Sequence, residues 1–240
     1  MRLFVSILFL ALPFFIFAED SEFKMSYPYI NCFDYSGPGH IEIQQGKDNQ
    51  FFFKAPQKIR DKFSISFSNG LLKIEPKSFT DVSQIPAIPH VVLIVNQLQS
   101  LVLEGDNYVD IDSIKTDRLM VDVKINGSTM LEGNIHCERF ALSMVGSSQV
   151  TVTGTTNYQT IYINGPGRYD GKGFVSDDTN VRIRGASSCL VNVRDNLSIS
   201  IEGFGHVHYL GSPQVSKTIK GEGVVSPLTK EIIEQFEEKK

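Results

Sequence analysis

Six glycines, Gly105, Gly127, Gly146, Gly165, Gly185 and Gly203, divide the second half of the chain into intervals of 22, 19, 19, 20 and 18 residues. The residues around them repeat as well. Four positions before each glycine stand Leu101, Val123, Leu142, Ile161, Val181 and Ile199, and two before stand Leu103, Ile125, Met144, Ile163, Ile183 and Ile201. Four positions after come Val109, Leu131, Val150, Tyr169, Cys189 and Val207. All eighteen sites are apolar in a chain whose apolar fraction is 41%, an outcome that chance would give about once in 10⁷ trials. The positions between are mixed and mostly polar, for example Lys124, Tyr162 and Arg182 before the glycine and Asp110, Glu132 and Leu190 after it.

Alternation with period two on both sides of a glycine describes two short strands, each with one buried face, joined at a bend that needs positive φ or close backbone approach. A unit of about 20 residues cannot bury its apolar face alone, so it must stack on its neighbours. Propeller blades need about 40 residues, leucine-rich repeats need a helical half, and helical repeats need a 3.6-residue period. The pattern therefore predicts an all-β, parallel β-helix-like solenoid whose coils rise about 4.8 Å each, so that six make a column about 29 Å long. Leu103, Ile125, Met144, Ile163, Ile183 and Ile201 are its expected core, the six glycines its structural turns, and Tyr162, Arg182 and Leu190 an expected outward cluster. The template also fits at Gly37, with Phe33 and Tyr35 before it and Ile41 and Ile43 after it. It fits partly at Gly221, where Lys217 breaks the file and a terminal coil is expected.

The flanks read differently. Residues 1–18, with Arg2, an apolar run from Leu3 to Phe17 and the small Ala18, have the form of a secretory signal peptide. The run is about 15 residues, short of the roughly 20 needed to span a bilayer. No transmembrane segment is therefore expected after its removal. Residues 19–226 are expected to form one domain, for which 240 residues and 26.8 kDa suffice. Between Gly46 and Val91 the repeat lapses. Phe51–Phe53, Phe63–Phe67, Asn69-Gly70 and Leu71–Ile74 read there as a strand and a hairpin with a type I′ turn, so 47–90 is taken as an N-terminal elaboration. In the tail, 227–240, Leu228, Ile232 and Phe236 recur at helical spacing, which predicts a short helix covering the open end of the column.

Without the leader, 22 basic residues face 27 acidic ones, and the basic residues are scattered singly. That argues against nucleic acid as a partner. The three cysteines are odd in number, and Cys137 and Cys189 lie three coils apart, about 14 Å along the axis and beyond disulfide reach. No intrachain disulfide is expected.

Catalytic motifs are not apparent: there is no Gly-x-Ser-x-Gly, no His-Glu-x-x-His and no phosphate-binding loop. No cofactor is expected. His206 and His208 flank an inward Val207 and so project outward together, a weak metal candidate that lacks a third ligand. Asp110 and Asp112 also face outward, with Glu132 stacked over Asp110. This acidic file supports an alternative reading as a polysaccharide lyase-like enzyme, although no basic partner is evident. The Asn126-Gly127-Ser128 and Asn196-Leu197-Ser198 sequons matter only in a eukaryotic host.

The strand, glycine, strand units, and the closing run His208-Tyr209-Leu210-Gly211-Ser212-Pro213 with Val215 and Lys220-Gly221-Glu222-Gly223-Val224, resemble the bacterial family of autotransporter adhesin head, or GIN, domains over roughly 31–226. The resemblance implies an exported, periplasmic or cell-surface protein with a right-handed β-helix-like fold. Without a reactive constellation, the expected function is non-catalytic: a binding or structural envelope protein, adhesin-like, that presents one face to a glycan or protein partner. The candidate ligand-facing residues are Tyr162, Arg182, Leu190, Asp110 and Glu132.

Overall fold

A computed structural model describes residues 22–77, 87–116 and 120–229; of 120–124 only the backbone is considered. The leader and most of the tail, with its expected helix, lie outside the described residues.

The described chain is a β-solenoid. Each coil contributes one strand to each of two sheets, and the chain turns between them at a glycine. The first sheet runs β6 (Leu71–Pro76), β2 (Cys32–Ser36), β8 (Ser100–Glu104), β10 (Met120–Asn126), then the second halves of β11 (Met130–Val145), β12 (Gln149–Asn164), β13 (Arg168–Gly185) and β14 (Ser188–Gly203), and last β16 (Gln214–Gly221). The second sheet runs β7 (His90–Val95), β3 (Gly39–Gln45), β9 (Asn107–Lys115), the first halves of β11 to β14, β15 (His206–Leu210) and β17 (Val224–Pro227). All these pairings are parallel. Like residues therefore stack on like, and the apolar files become continuous walls of the core. Leaving aside Val123, the seventeen file residues are at most 2% exposed.

The bend is built by glycine and by small hydroxyl residues. Gly37, Gly105, Gly127, Gly146, Gly165, Gly185, Gly203 and Gly221 all have φ between 101° and 131°, a region that costs other residues about 1–3 kcal/mol. They also stack closely: a Cβ on Gly127 would lie 2.5 Å from the Gly105 carbonyl oxygen. Two residues further on, buried hydroxyls reach the glycine one coil back. Thr129 Oγ1 donates to Gly105 O at 3.3 Å, Ser148 Oγ to Gly127 O at 2.8 Å, and Ser187 Oγ to Gly165 O. The bend thus satisfies polar groups that would otherwise be stranded inside.

The N-terminal end departs from this order in space. β2 and β3, first in sequence of the coils, lie between the β6–β7 coil and the β8–β9 coil. Part of the expected elaboration is therefore a full coil of the stack, because β6 and β7 find parallel partners in β2 and β3. The remainder closes the end with antiparallel strands: β5 (Phe63–Ser68) on β6, β4 (Asn49–Lys54) on β7, and β1 (Glu22–Tyr27) on β4. Asn69 and Gly70, at φ 49° and 79°, make the turn between β5 and β6, as a type I′ hairpin requires. The short α1 (Gln57–Arg60) buries Ile59 in the same core, where Phe63 packs against Tyr35 and Phe53 with ring centroids 6.3 and 5.4 Å away.

All three cysteines are free. Burial pushes the Cys137 thiol up to about 11 and the fully buried Cys189 thiol higher still.

Candidate functional site

The outer side of the second sheet carries two parallel rows of side chains. One runs Lys54, His90, His40, Tyr108, Met130 and Gln149 across successive strands; the next runs Val92, Glu42, Asp110, Glu132 and Thr151. Asp110 and Glu132 are exposed and directly opposite one another, and β3 adds Glu42 to their file. Among the described residues, neither Asp110 nor Glu132 is paired with a base. Asp112 is exposed further along β9.

Three exposed apolar side chains gather beside these acids. Ile88 is 70% exposed, Tyr108 42% and Met130 49%. With His40, His90, Asp106 and Asn107 they line an open groove of about 580 Å³. The His40 ring meets the Tyr108 ring edge-on at 5.1 Å and stacks on the His90 ring at 4.9 Å. His90 Nε2 donates to Glu42 Oε1 at 2.9 Å. Asn107 is buried; its Nδ2 donates to Glu104 O at 3.3 Å and lies 3.5 Å from Thr129 Oγ1, while its Oδ1 has no partner.

The other sequence-derived candidates are scattered. Tyr162 and Arg182 are neighbours in register, but on the outer side of the first sheet. Leu190 keeps the outward register on the second sheet, between Asp170 and His208, but is 1% exposed, which corrects the expectation that it is open to a ligand. Beside it β13 carries three extra residues, because its pairing with β14 jumps from Asp170 and Leu190 to Val175 and Asn192. Cys189 and Val191, on either side of Leu190, face the core. His206 and His208 do lie on one side of β15, with ring centroids 6.5 Å apart. His208 Nδ1 bonds with Ser226 Oγ at 3.0 Å. Burial, reinforced by His206, holds the His208 imidazole below its ordinary value.

His40, Glu42 and His90 were not among the sequence-derived candidates. A usable signal was present, because the Gly37 template turns Ile41 and Ile43 inward and so His40 and Glu42 outward. That His90 stands beside them depends on β7 pairing with β3, which no repeat announces.

Residues 31–213 match the family described as putative auto-transporter adhesin, head GIN domain. The chain belongs to this family. Among solved structures, one described as a putative adhesin from Bacteroides fragilis superposes with a TM-score of 0.79 at 17% identity, covering 88% of this chain and 99% of that one. A putative adhesin from Parabacteroides merdae gives 0.60 at 15% identity, covering 87% and 96%. A protein from Parabacteroides distasonis described as a putative lipid binding protein gives 0.60 at 18% identity, covering 88% and 98%. These likenesses establish the fold. No curated protein matches the chain. Among the described residues no helix is long and apolar enough to cross a membrane.

Proposed function

We propose that this GIN-domain protein is an exported, non-catalytic envelope protein that binds a glycan in the groove beside Tyr108. The observation that carries this reading is an exposed aromatic ring set in an open groove beside the carboxylates Asp106 and Glu42. A sugar ring has an apolar CH face, which can lie on Tyr108, and hydroxyls at its rim, which can donate to Asp106 and Glu42. Export is supported by the leader read from residues 1–18 and by the adhesin-like family.

The test is binding of the leader-free protein to an array of bacterial envelope glycans. Tyr108→Ala should weaken any saturable binding at least tenfold, while Arg182→Ala, on the opposite sheet, should leave it unchanged. Equal binding by wild type and Tyr108→Ala would overturn the assignment. So would saturable binding to an envelope protein or to phosphatidylethanolamine vesicles with none to glycans.

A further inference from the structure

The wall of the same groove contains a second arrangement, independent of what the groove holds. His40 and Glu42 lie two residues apart on one side of β3, and His90 stands opposite His40 on β7. One ligand atom from each of the three lies within 4.8 Å of the other two, and all three residues are half-buried. We propose that His40, Glu42 and His90 bind a divalent first-row transition metal ion, with zinc suited to the ligand set.

The geometry is close to what such an ion needs. Zinc bonds imidazole nitrogen and carboxylate oxygen at about 2.0–2.2 Å, so tetrahedral ligands sit roughly 3.4 Å from one another. His90 Nε2 and Glu42 Oε1 are already 2.9 Å apart. The remaining separations, within 4.8 Å, close by side-chain rotation on a backbone held by parallel pairing on both sides of β3. The Tyr108 ring against His40 restricts that imidazole, as the surroundings of metal-bound histidines commonly do. Charge favours a cation: Asp110 stands next to Glu42 across the sheet and Asp106 is on the groove wall, against Lys54 opposite His90. Two imidazoles and one carboxylate leave a coordination position for water or for an oxygen of a bound ligand. The bland explanation of the trio is a surface His–Glu pair with a stacked neighbour. Such a pair holds the side chains in place without selecting an ion.

Isothermal titration of the untagged, leader-free protein with Zn²⁺, after chelator treatment, separates the two. A Cys32→Ser background removes the one partly exposed thiol. One equivalent of zinc should bind, and His40→Ala and His90→Ala should each weaken it at least tenfold. Glu42→Gln should weaken it less, and His206→Ala should have no effect. With Cu²⁺, electron paramagnetic resonance should show two coordinated nitrogens that fall to one in either His variant. Circular dichroism of the variants should match wild type. Zinc binding unchanged in His40→Ala/His90→Ala, zinc binding lost in His206→Ala, or no zinc binding by the folded wild type would each overturn the proposal. Glycan binding by the metal-free protein is read separately, so either assignment can fail without the other.

Discussion

The repetitive stack from Gly105 to Gly203 and the N-terminal end from β1 to β7 share one continuous core, yet they are built on opposite rules. In the stack each coil contacts the coil before and after it in sequence, the glycine bend recurs, and the apolar files are interchangeable. At the N-terminal end the strands are partly antiparallel, the coils are out of chain order, and the core is made of large aromatic rings. A solenoid propagates because every coil presents the same edge to the next. The same property leaves its first edge open, and the antiparallel strands with their aromatic cap close it. The groove forms where the two rules meet: His40 and His90 come from the N-terminal end, Tyr108 and Met130 from the first coils of the stack. Regularity supplies the platform, and the irregular end brings distant residues onto it.

This contrast can be broken at several points. The largest effect is expected in the cap, where Phe53 is fully buried against Phe63. Phe53→Ala should cost about 3–5 kcal/mol, measured by urea unfolding. A loss below about 1 kcal/mol would show that the cap is not needed to close the stack.

Next comes the bend. Gly127→Ala places a Cβ 2.5 Å from the Gly105 carbonyl oxygen at φ +131°, for an expected cost of about 3 kcal/mol. Gly133 lies outside the bend, its added Cβ would meet nothing nearer than 3.4 Å, and its φ is not in the left-handed region. Gly133→Ala should change stability by no more than about 0.5 kcal/mol. Equal costs at the two glycines would mean that the bend is not where the repeat is held.

The smallest effect concerns the far end of the same outer rows, where His208 is partly buried. A folded-state value below the ordinary 6.5 means that the unfolded chain binds the proton more readily. His208 therefore adds stability that is fully present above about pH 6.5 and is lost as pH falls toward its lowered folded value. Comparing wild type with His208→Gln by thermal unfolding across that range should show a steeper fall for wild type. Parallel curves would mean that His208 titrates as it does in the unfolded chain.

Much of the fold was legible because a parallel solenoid writes its periodicity directly into the sequence. A residue at a given place in one coil lies under its counterpart in the next, so the files from Leu103 to Ile201 and from Val109 to Val207 could be read as walls. The burial of Leu190 was not legible, because alternation gives the side a residue faces and not what covers it, and the extra residues of β13 beside it lie outside the repeat. The candidate site was half legible. Asp110 and Glu132 were read as an outward pair, but their extension to Glu42 and the approach of His90 to His40 were not, since the partners are 50 positions apart and outside the repeat.

By itself the sequence determined the coil length, the bend, the two walls of the core and the acidic balance, all of which follow from local periodicity and the conformational freedom of glycine. Only the tertiary structure decided that the β6–β7 coil stacks on the outer side of β2–β3 rather than beside β8–β9, and hence which side chains share the groove. The physical reason is that strand edges in a parallel sheet are nearly equivalent in hydrogen bonding. The order in which they pair is settled by how the aromatic end packs as a whole, which no local pattern encodes.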